Sequence, residues 1–264
     1  MDLQLRGRTA LVTGSSAGIG YAIAEGFARE GAKVVVNGRD AERLGQARER
    51  LLAAVPGAEV TGVVADVGTA EGAAAVIEAA PEVDVLVNNV SSFELRPFAE
   101  ISDEEWERYF RTNVLSGVRL SRHHLDRMLA RNSGRILFVS SDAAVDMAVE
   151  MLHYSVTKTA TLALARGLAE LTKGTRVTVN AVLPGPTVTE GVAGMLDGAS
   201  AQTGLTRDEL EARFFAENRP TSLIQRFATP DEVANLVLYL ASPLAAITNG
   251  AAVRAEGGVV RSVL

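Results

Sequence analysis

Short apolar runs rich in β-formers alternate with longer helical stretches from one end of the chain to the other. That alternation restricts the fold more than any other feature. TALVTG (9–14) reads as a strand, and IGYAIAEGFAREG (19–31) as a helix that Gly31 closes. KVVVNG (33–38) is the next strand and RDAERLGQARERLLAAV (39–55) a charged amphipathic helix. EVTGVVADV (59–67), a helix over 70–80 and the strand VDVLVNN (83–89) continue the rhythm. Ser102 and Glu105 have capping-box spacing and open a long helix containing Trp106, Phe110 and Leu120. The strand GRILFVSS (134–141) precedes a helix in which Tyr154 sits early and which ends near Leu171. RVTVNAVLPG (176–185) follows as a strand. Thr229 and Glu232 form a second capping box, with Pro230 at N1, opening the helix DEVANLVLYLAS (231–242). A last strand lies within GAAVRAEGG (250–258).

Antiparallel strands can be joined by tight hairpins, but a parallel pair needs a crossover of a dozen residues or more, usually a helix. Regular alternation therefore predicts an α/β fold of parallel strands with helices on both faces. Right-handed crossovers make it a doubly wound sheet. No composition break or linker divides the 264 residues, so 1–264 is expected to be a single domain. One stretch breaks the rhythm. Residues 186–229 are too many for a plain connection, and such insertions serve as lids or binding loops. The other reading is a helical hairpin that only packs. In an open α/β sheet this stretch would lie beyond the carboxyl ends of the strands, where ligands bind, which favours a substrate lid.

Composition narrows the function classes. With 47% hydrophobic and 22% charged residues the balance is that of an ordinary globular protein. There is no cysteine, so disulfides, thiolate catalysis and cysteine-ligated metals are ruled out. The net charge of −6, with both signs interspersed, leaves no footprint for nucleic acid. No run approaches the roughly 20 apolar residues of a membrane span, and no apolar core of a signal peptide precedes the first strand. A cytoplasmic protein is expected. His123 and His124 have no partner at ligand spacing, so no metal is expected.

TGSSAGIG places Gly14, Gly18 and Gly20 between the first strand and the first helix. Glycines at this turn let the backbone approach a pyrophosphate, with the helix N-terminus facing the negative charge. The ribose-binding acid of an NAD site is expected about 20 residues further on, and that position reads NGRD. Gly38 stands where the acid would be and Arg39 comes next, an arrangement suited to a 2′-phosphate. NADP is therefore expected, with NAD possible if Asp40 turns back to the ribose.

Tyr154 and Lys158 are four residues apart with no glycine or proline between them, which stacks them on one helix face. Two amphipathic side chains can share a face merely to keep their tips in water. The chemical alternative is that the ammonium favours the phenolate and makes the tyrosine a proton donor or acceptor near neutral pH.

With TGSSAGIG, VNN and YSVTK in this order, the chain resembles the short-chain dehydrogenase/reductase family over essentially its whole length. The resemblance implies a seven-stranded Rossmann-type domain and nicotinamide-dependent interconversion of a carbonyl and an alcohol. It implies Tyr154 as acid/base and Lys158 as its partner, with the lysine also reaching the nicotinamide ribose. The family serine comes thirteen positions before the tyrosine, selecting Ser141 over Ser140, and Asn113 matches the asparagine that holds a relay water. For the cofactor it implies Ser16 and Ile19 in the glycine turn, Asp66 and Val67 at the adenine, and Asn88 on the adenosine side. Pro184, Gly185, Thr187 and Thr189 match the loop that clamps the carboxamide. The family's Asn-Asn-Ala-Gly is here Asn88-Asn89-Val90-Ser91, and its usual Asp-Gly near the last strand is Glu256-Gly257. The first departure brings the Ser91 and Ser92 hydroxyls towards the substrate. His153 points about 100° away from Tyr154 and is a substrate-side or packing residue.

The expected partner is a small carbonyl or alcohol substrate. Family helix-mediated assemblies imply a homotetramer, or at least a dimer, and Ala160, Ala163, Leu164, Ala165, Gly167 and Leu168 wrap more than one helix face. A β-ketoacyl carrier-protein reductase and a non-catalytic NADP-binding regulatory protein are the alternatives. The latter would be expected to lack one of Ser141, Tyr154 or Lys158.

Overall fold

In the computed structural model, which describes residues 1–263, seven strands form one sheet. They are β1 (Thr9–Val12), β2 (Lys33–Gly38), β3 (Val60–Val64), β4 (Val85–Asn88), β5 (Gly134–Val139), β6 (Val177–Pro184) and β7 (Ala252–Ala255). Their spatial order is β3-β2-β1-β4-β5-β6-β7, and every pairing is parallel. The order reverses between β1 and β4, so the crevice at their carboxyl ends is the switch point of the doubly wound topology.

The helices explain why the strands read as continuous apolar runs rather than alternating ones. On one face, α1 (Gly18–Arg29) and α9 (Pro230–Ala241) enclose a core of Ile23, Phe27, Val237 and Leu238 against Ala10, Val12, Leu137 and Val139. On the other, Leu11, Leu86, Ile136 and Phe138 meet Leu120 and Met128 of α5 (Ser116–Ala130) and Ala165 of α6 (Leu152–Glu170). Neighbouring strand residues thus enter opposite cores, as the period of two requires. Burying each large apolar side chain contributes about 1.5–3 kcal/mol. Helices α2 (Ala41–Ala54) and α3 (Ala70–Ala79) complete the two layers, capped by Asp40 and Thr69.

Three expectations are corrected. The long helix after Ser102 is interrupted: α4 (Asp103–Phe110) passes through a π-turn (Arg111–Leu115) before α5 begins. Ser102 caps α4 through the Glu105 amide, but the Glu105 carboxylate pairs with Arg96 at 3.4 Å and Arg108 at 3.6 Å instead of closing a box. Thr229 and Glu232 do form a full box, with Pro230 in the first turn. Finally, the strand TALVTG ends at Val12 because Gly14, at φ +62°, turns the backbone out of the sheet.

Residues 186–229 contain two helices, α7 (Glu190–Thr203) and α8 (Arg207–Asn218), which pack on each other. Among the described residues, α7 has no buried side chain and α8 has one, Phe215. Phe215 and Phe214 lie 5.2 and 5.0 Å from the Phe227 ring and fasten the base of the hairpin.

Candidate active site

The glycine turn is built for close approach. A Cβ on Gly20 would lie 2.3 Å from the Gly14 carbonyl oxygen and 2.4 Å from the Asn89 amide nitrogen, so no side chain fits there. Gly18, at φ +56°, has Thr189 beside it, with the threonine methyl 3.1 Å from where a Cβ would stand. Asn89 holds the turn in place by donating from Nδ2 to the carbonyls of Thr13 at 2.9 Å and Gly14 at 3.0 Å. Ser16 is half-buried at the turn and the Ile19 side chain packs against the first core.

At the end of β2, Arg39 is exposed and has no hydrogen-bond or ion-pair partner among the described residues. Asp40 is engaged elsewhere: its Oδ1 accepts from the Arg43 amide at 2.9 Å as the N-cap of α2. That leaves the cation available for an anion. The Asp66 carboxylate is exposed and accepts from the Gly68 amide at 2.9 Å, and Val67 beside it is core. Asn88 donates to Ser121 Oγ at 3.2 Å, while its Oδ1 is buried without a partner among the described residues. A closely approachable glycine turn, a free arginine and an orphaned amide oxygen together fit a dinucleotide laid across the switch point.

The loop after β6 faces that turn. Gly185 donates to the Ala255 carbonyl at 3.1 Å, directly after Pro184 closes the strand. Thr187 is buried, and its hydroxyl donates to the Gly185 carbonyl at 2.9 Å. The Thr189 hydroxyl accepts from the Val192 amide at 3.4 Å as the N-cap of α7, which leaves its own proton free to donate.

The catalytic candidates meet at the carboxyl ends of β4 and β5. Ser140 turns inward, its hydroxyl donating to the Lys158 carbonyl at 2.9 Å, whereas Ser141 faces the Tyr154 phenol. The Lys158 ammonium lies 5.5 Å from the centre of the Tyr154 ring and donates to the Val139 carbonyl at 2.8 Å. Asn113 occupies the π-turn, a local distortion that often marks functional sites. Its Oδ1 accepts from the Ser92 amide at 2.8 Å, and its Nδ2 donates to the Ser92 carbonyl at 3.0 Å and to Thr157 Oγ1 at 2.9 Å. Asn113 therefore ties the departing 91–92 segment to the catalytic helix. His153 is fully buried, its ring 3.8 Å from Tyr109 and 6.2 Å from Trp106, which makes it a packing residue.

The electrostatics differ from the expectation of a phenol acidified by its neighbour. Burial pushes Tyr154 above its ordinary 10.0; the Ser141 hydroxyl opposes this and the Asp142 charge adds to it. Burial also lowers Lys158 to about 7, because a desolvated ammonium gives up its proton more readily. A lysine so depressed is only partly charged near neutrality, and desolvation is the largest cause of the rise in Tyr154.

Two residues had no signal in the sequence. Asp142 is buried; its Oδ1 accepts from the Ser141 hydroxyl and from the Ala143 amide, each at 2.9 Å. Arg219, just beyond α8, points its Nε at Asp142 Oδ2 from 3.9 Å and its Nη1 at Glu150 from 3.6 Å. Their pairing spans segments far apart in the chain and is visible only after folding. Asn89, by contrast, lies inside the VNN motif and was legible by position.

Residues 8–198 match the family model described as short chain dehydrogenase. An uncharacterised oxidoreductase, YvaG, of Bacillus subtilis (strain 168) is 50% identical over 263 residues, covering all of both chains. The 3-oxoacyl-[acyl-carrier-protein] reductase FabG of Aquifex aeolicus (strain VF5) is 30% identical, covering 98% of this chain and 100% of that one. Among solved structures, L-sorbose reductase from Gluconobacter frateurii, complexed with NADPH and L-sorbose, superimposes with a TM-score of 0.93 at 34% identity over the whole of both chains. With the parallel seven-stranded sheet and the glycine turn at its switch point, these likenesses place the chain in the short-chain dehydrogenase/reductase family of oxidoreductases.

Proposed function

We propose that this chain interconverts a ketone and a secondary alcohol with NADP(H), using Tyr154 as the acid/base. The observation that carries the reading is the Ser141–Tyr154–Lys158 cluster, set at the carboxyl ends of the strands opposite the glycine turn. A bound nicotinamide dinucleotide would supply the hydride. Tyr154, kept protonated by burial, donates the proton to the carbonyl oxygen. Ser141 donates a hydrogen bond to the same oxygen as negative charge develops on it. Lys158 lies beside the phenol and, with its affinity for protons lowered to about 7, can resupply the proton that Tyr154 gives away. Gly14, Ser16, Gly18, Ile19 and Gly20 would hold the pyrophosphate, Arg39 the 2′-phosphate, Asp66, Val67 and Asn88 the adenosine. The segment 184–189 would hold the nicotinamide end.

The α7–α8 hairpin is the substrate lid in this reading, supported by how little of it is buried. The rim beside Tyr154 is apolar: Phe93, 55% exposed, has its ring 6.1 Å from the tyrosine, and Val149 on the facing loop is 73% exposed. The two loops are joined by the Arg96 amide donating to the Glu150 carbonyl at 2.8 Å. That rim favours a substrate with an apolar body, while the L-sorbose reductase likeness favours a ketose. The outward small residues Ala163 and Gly167 of α6, with exposed Leu171 at its end and Tyr239, Leu244 and Ile247 around β7, support a homotetramer.

The test is nicotinamide absorbance with NADPH and NADH across aliphatic ketones, ketoses and β-ketoacyl thioesters. At least one carbonyl should be reduced, and Tyr154→Phe should slow it by roughly 10²–10⁴-fold while cofactor binding persists. Near-parental turnover in Tyr154→Phe would defeat the mechanism. No turnover of any carbonyl would defeat the enzyme reading.

A further inference from the structure

Ser141 cannot serve the substrate in the geometry just described. Its single hydroxyl proton is donated to Asp142 Oδ1 at 2.9 Å, so none is left for a carbonyl oxygen. The same carboxylate raises Tyr154 further by its charge. A buried acid beside the catalytic pair therefore opposes the reaction twice. Something must draw it off.

The groups facing Asp142 identify the agent. From α6 comes Tyr154, which is neutral; from beyond β7 comes Glu256, whose like charge raises Asp142. Arg254 stands off Glu256 at 3.8 Å rather than reaching Asp142. Among the described residues, the one cation directed at Asp142 is Arg219, just beyond the end of α8. Its Nε is 3.9 Å from Oδ2, too far for a hydrogen bond yet close enough for an ion pair, and Glu150 competes for the same guanidinium at 3.6 Å. Both partners are well sheltered, with side chains 18% and 9% exposed, so shortening this contact carries weight that an exposed pair would lack.

We infer that Arg219 is a positioning residue: by closing onto Asp142 it releases the Ser141 hydroxyl to the substrate oxygen. Occupying Oδ2 with a guanidinium hydrogen bond draws the carboxylate charge away from Oδ1. Ser141 then turns its proton to the stronger demand of the developing alkoxide. Turnover is thereby linked to the position of the segment after α8, without Arg219 touching substrate. This rests on the carbonyl chemistry proposed above for Tyr154.

Two measurements test it. The first needs no substrate: the infrared carboxyl band of protonated Asp142, identified by its loss in Asp142→Asn, is followed against pH. Arg219→Met removes a group that favours the carboxylate, so the band should persist to higher pH than in the parent, and Arg219→Lys should restore part of the difference. An unchanged titration overturns the proposal whether or not any carbonyl is turned over. The second is a double-mutant cycle on a carbonyl the parent reduces. Arg219→Met should lower kcat by about tenfold with KM little altered. That loss should ease as pH falls and Asp142 is neutralised, and Asp142→Asn in the same chain should abolish both the loss and its pH dependence. If the double variant is as slow as Arg219→Met, or if KM rises instead of kcat falling, Arg219 binds substrate directly and the inference is wrong. If the infrared shift appears but no carbonyl is ever reduced, the assigned reaction fails while the Arg219–Asp142 linkage stands.

Discussion

Because the Lys158 ammonium is buried at 3% exposure with one carbonyl as its hydrogen-bond partner, its charge carries a desolvation cost that no carboxylate offsets. Its ordinary 10.5 falls to about 7, and this has a measurable consequence for stability. Below pH 7 both folded and unfolded chains hold the proton; between 7 and 10.5 the unfolded chain holds it and the folded chain does not. Stability therefore rises with pH across that window, since the unfolded state binds more protons. Tyr154, raised from 10.0, acts in the opposite sense only above pH 10. Urea unfolding of Lys158→Met between pH 7 and 10 should show a flatter rise than the parent; an identical slope would mean that the lysine is solvated. At the other end of the crevice, Arg39 is exposed and has no hydrogen-bond or ion-pair partner among the described residues, so its replacement should leave stability alone and act on the cofactor. Arg39→Leu should weaken NADPH by roughly ten- to a hundredfold and NADH far less, as expected for one charge-assisted phosphate contact. Equal losses in titrations of the two cofactors would make Arg39 an ordinary surface charge.

At the scale of elements, what was legible in the sequence is what a local rule controls. The strands could be read because both of their faces are buried, which writes an uninterrupted apolar run. Helix starts at Ser102 and Thr229 could be read because a cap is set by residues three apart. The Glu105 half of the first box was not legible, since Arg96 and Arg108 compete for it from outside the motif. Nor was the π-turn holding Asn113, whose extra residue leaves the apolar period on either side intact. The α7–α8 hairpin left no stripe because α7 buries nothing that would need one. The same poverty of burial predicts its behaviour. Its ties to the domain near the cofactor cleft are few: Arg50 pairs with Glu190 at 3.1 Å, both half exposed, and Thr189 touches Gly18. Amides of α7 should exchange among the fastest of the helical amides and slow when NADP is added. The Phe215–Phe227 base should be protected in both conditions. Equal, strong protection of α7 throughout would make the hairpin an ordinary structural insertion rather than a lid.

For the whole molecule the question is what covers the apolar surface left over once both cores are filled. On α6, Ala165 and Ala169 are core, and Leu164 and Leu168 are partly buried against it. Ala163 and Gly167 face outward, and nothing lies within 4 Å of where a Gly167 Cβ would stand. Leu171 at the end of the helix is 63% exposed. A second patch lies at the β7 end of the sheet, where Tyr239 is 39%, Leu244 41% and Ile247 99% exposed, beside a strand with an unpaired edge. An edge of this kind is a standing invitation to another chain unless it is covered. Two separate patches, each able to meet its own copy across a two-fold axis, generate a closed tetramer, whereas either alone gives a dimer. Light scattering at low micromolar concentration should therefore show a tetramer. Gly167→Arg, placing a charge where backbones would approach, and Ile247→Glu, at the other patch, should each reduce it to a dimer. Combining them should give a monomer that retains the sheet. A parent chain that is monomeric at that concentration would leave both patches solvated and refute the assembly.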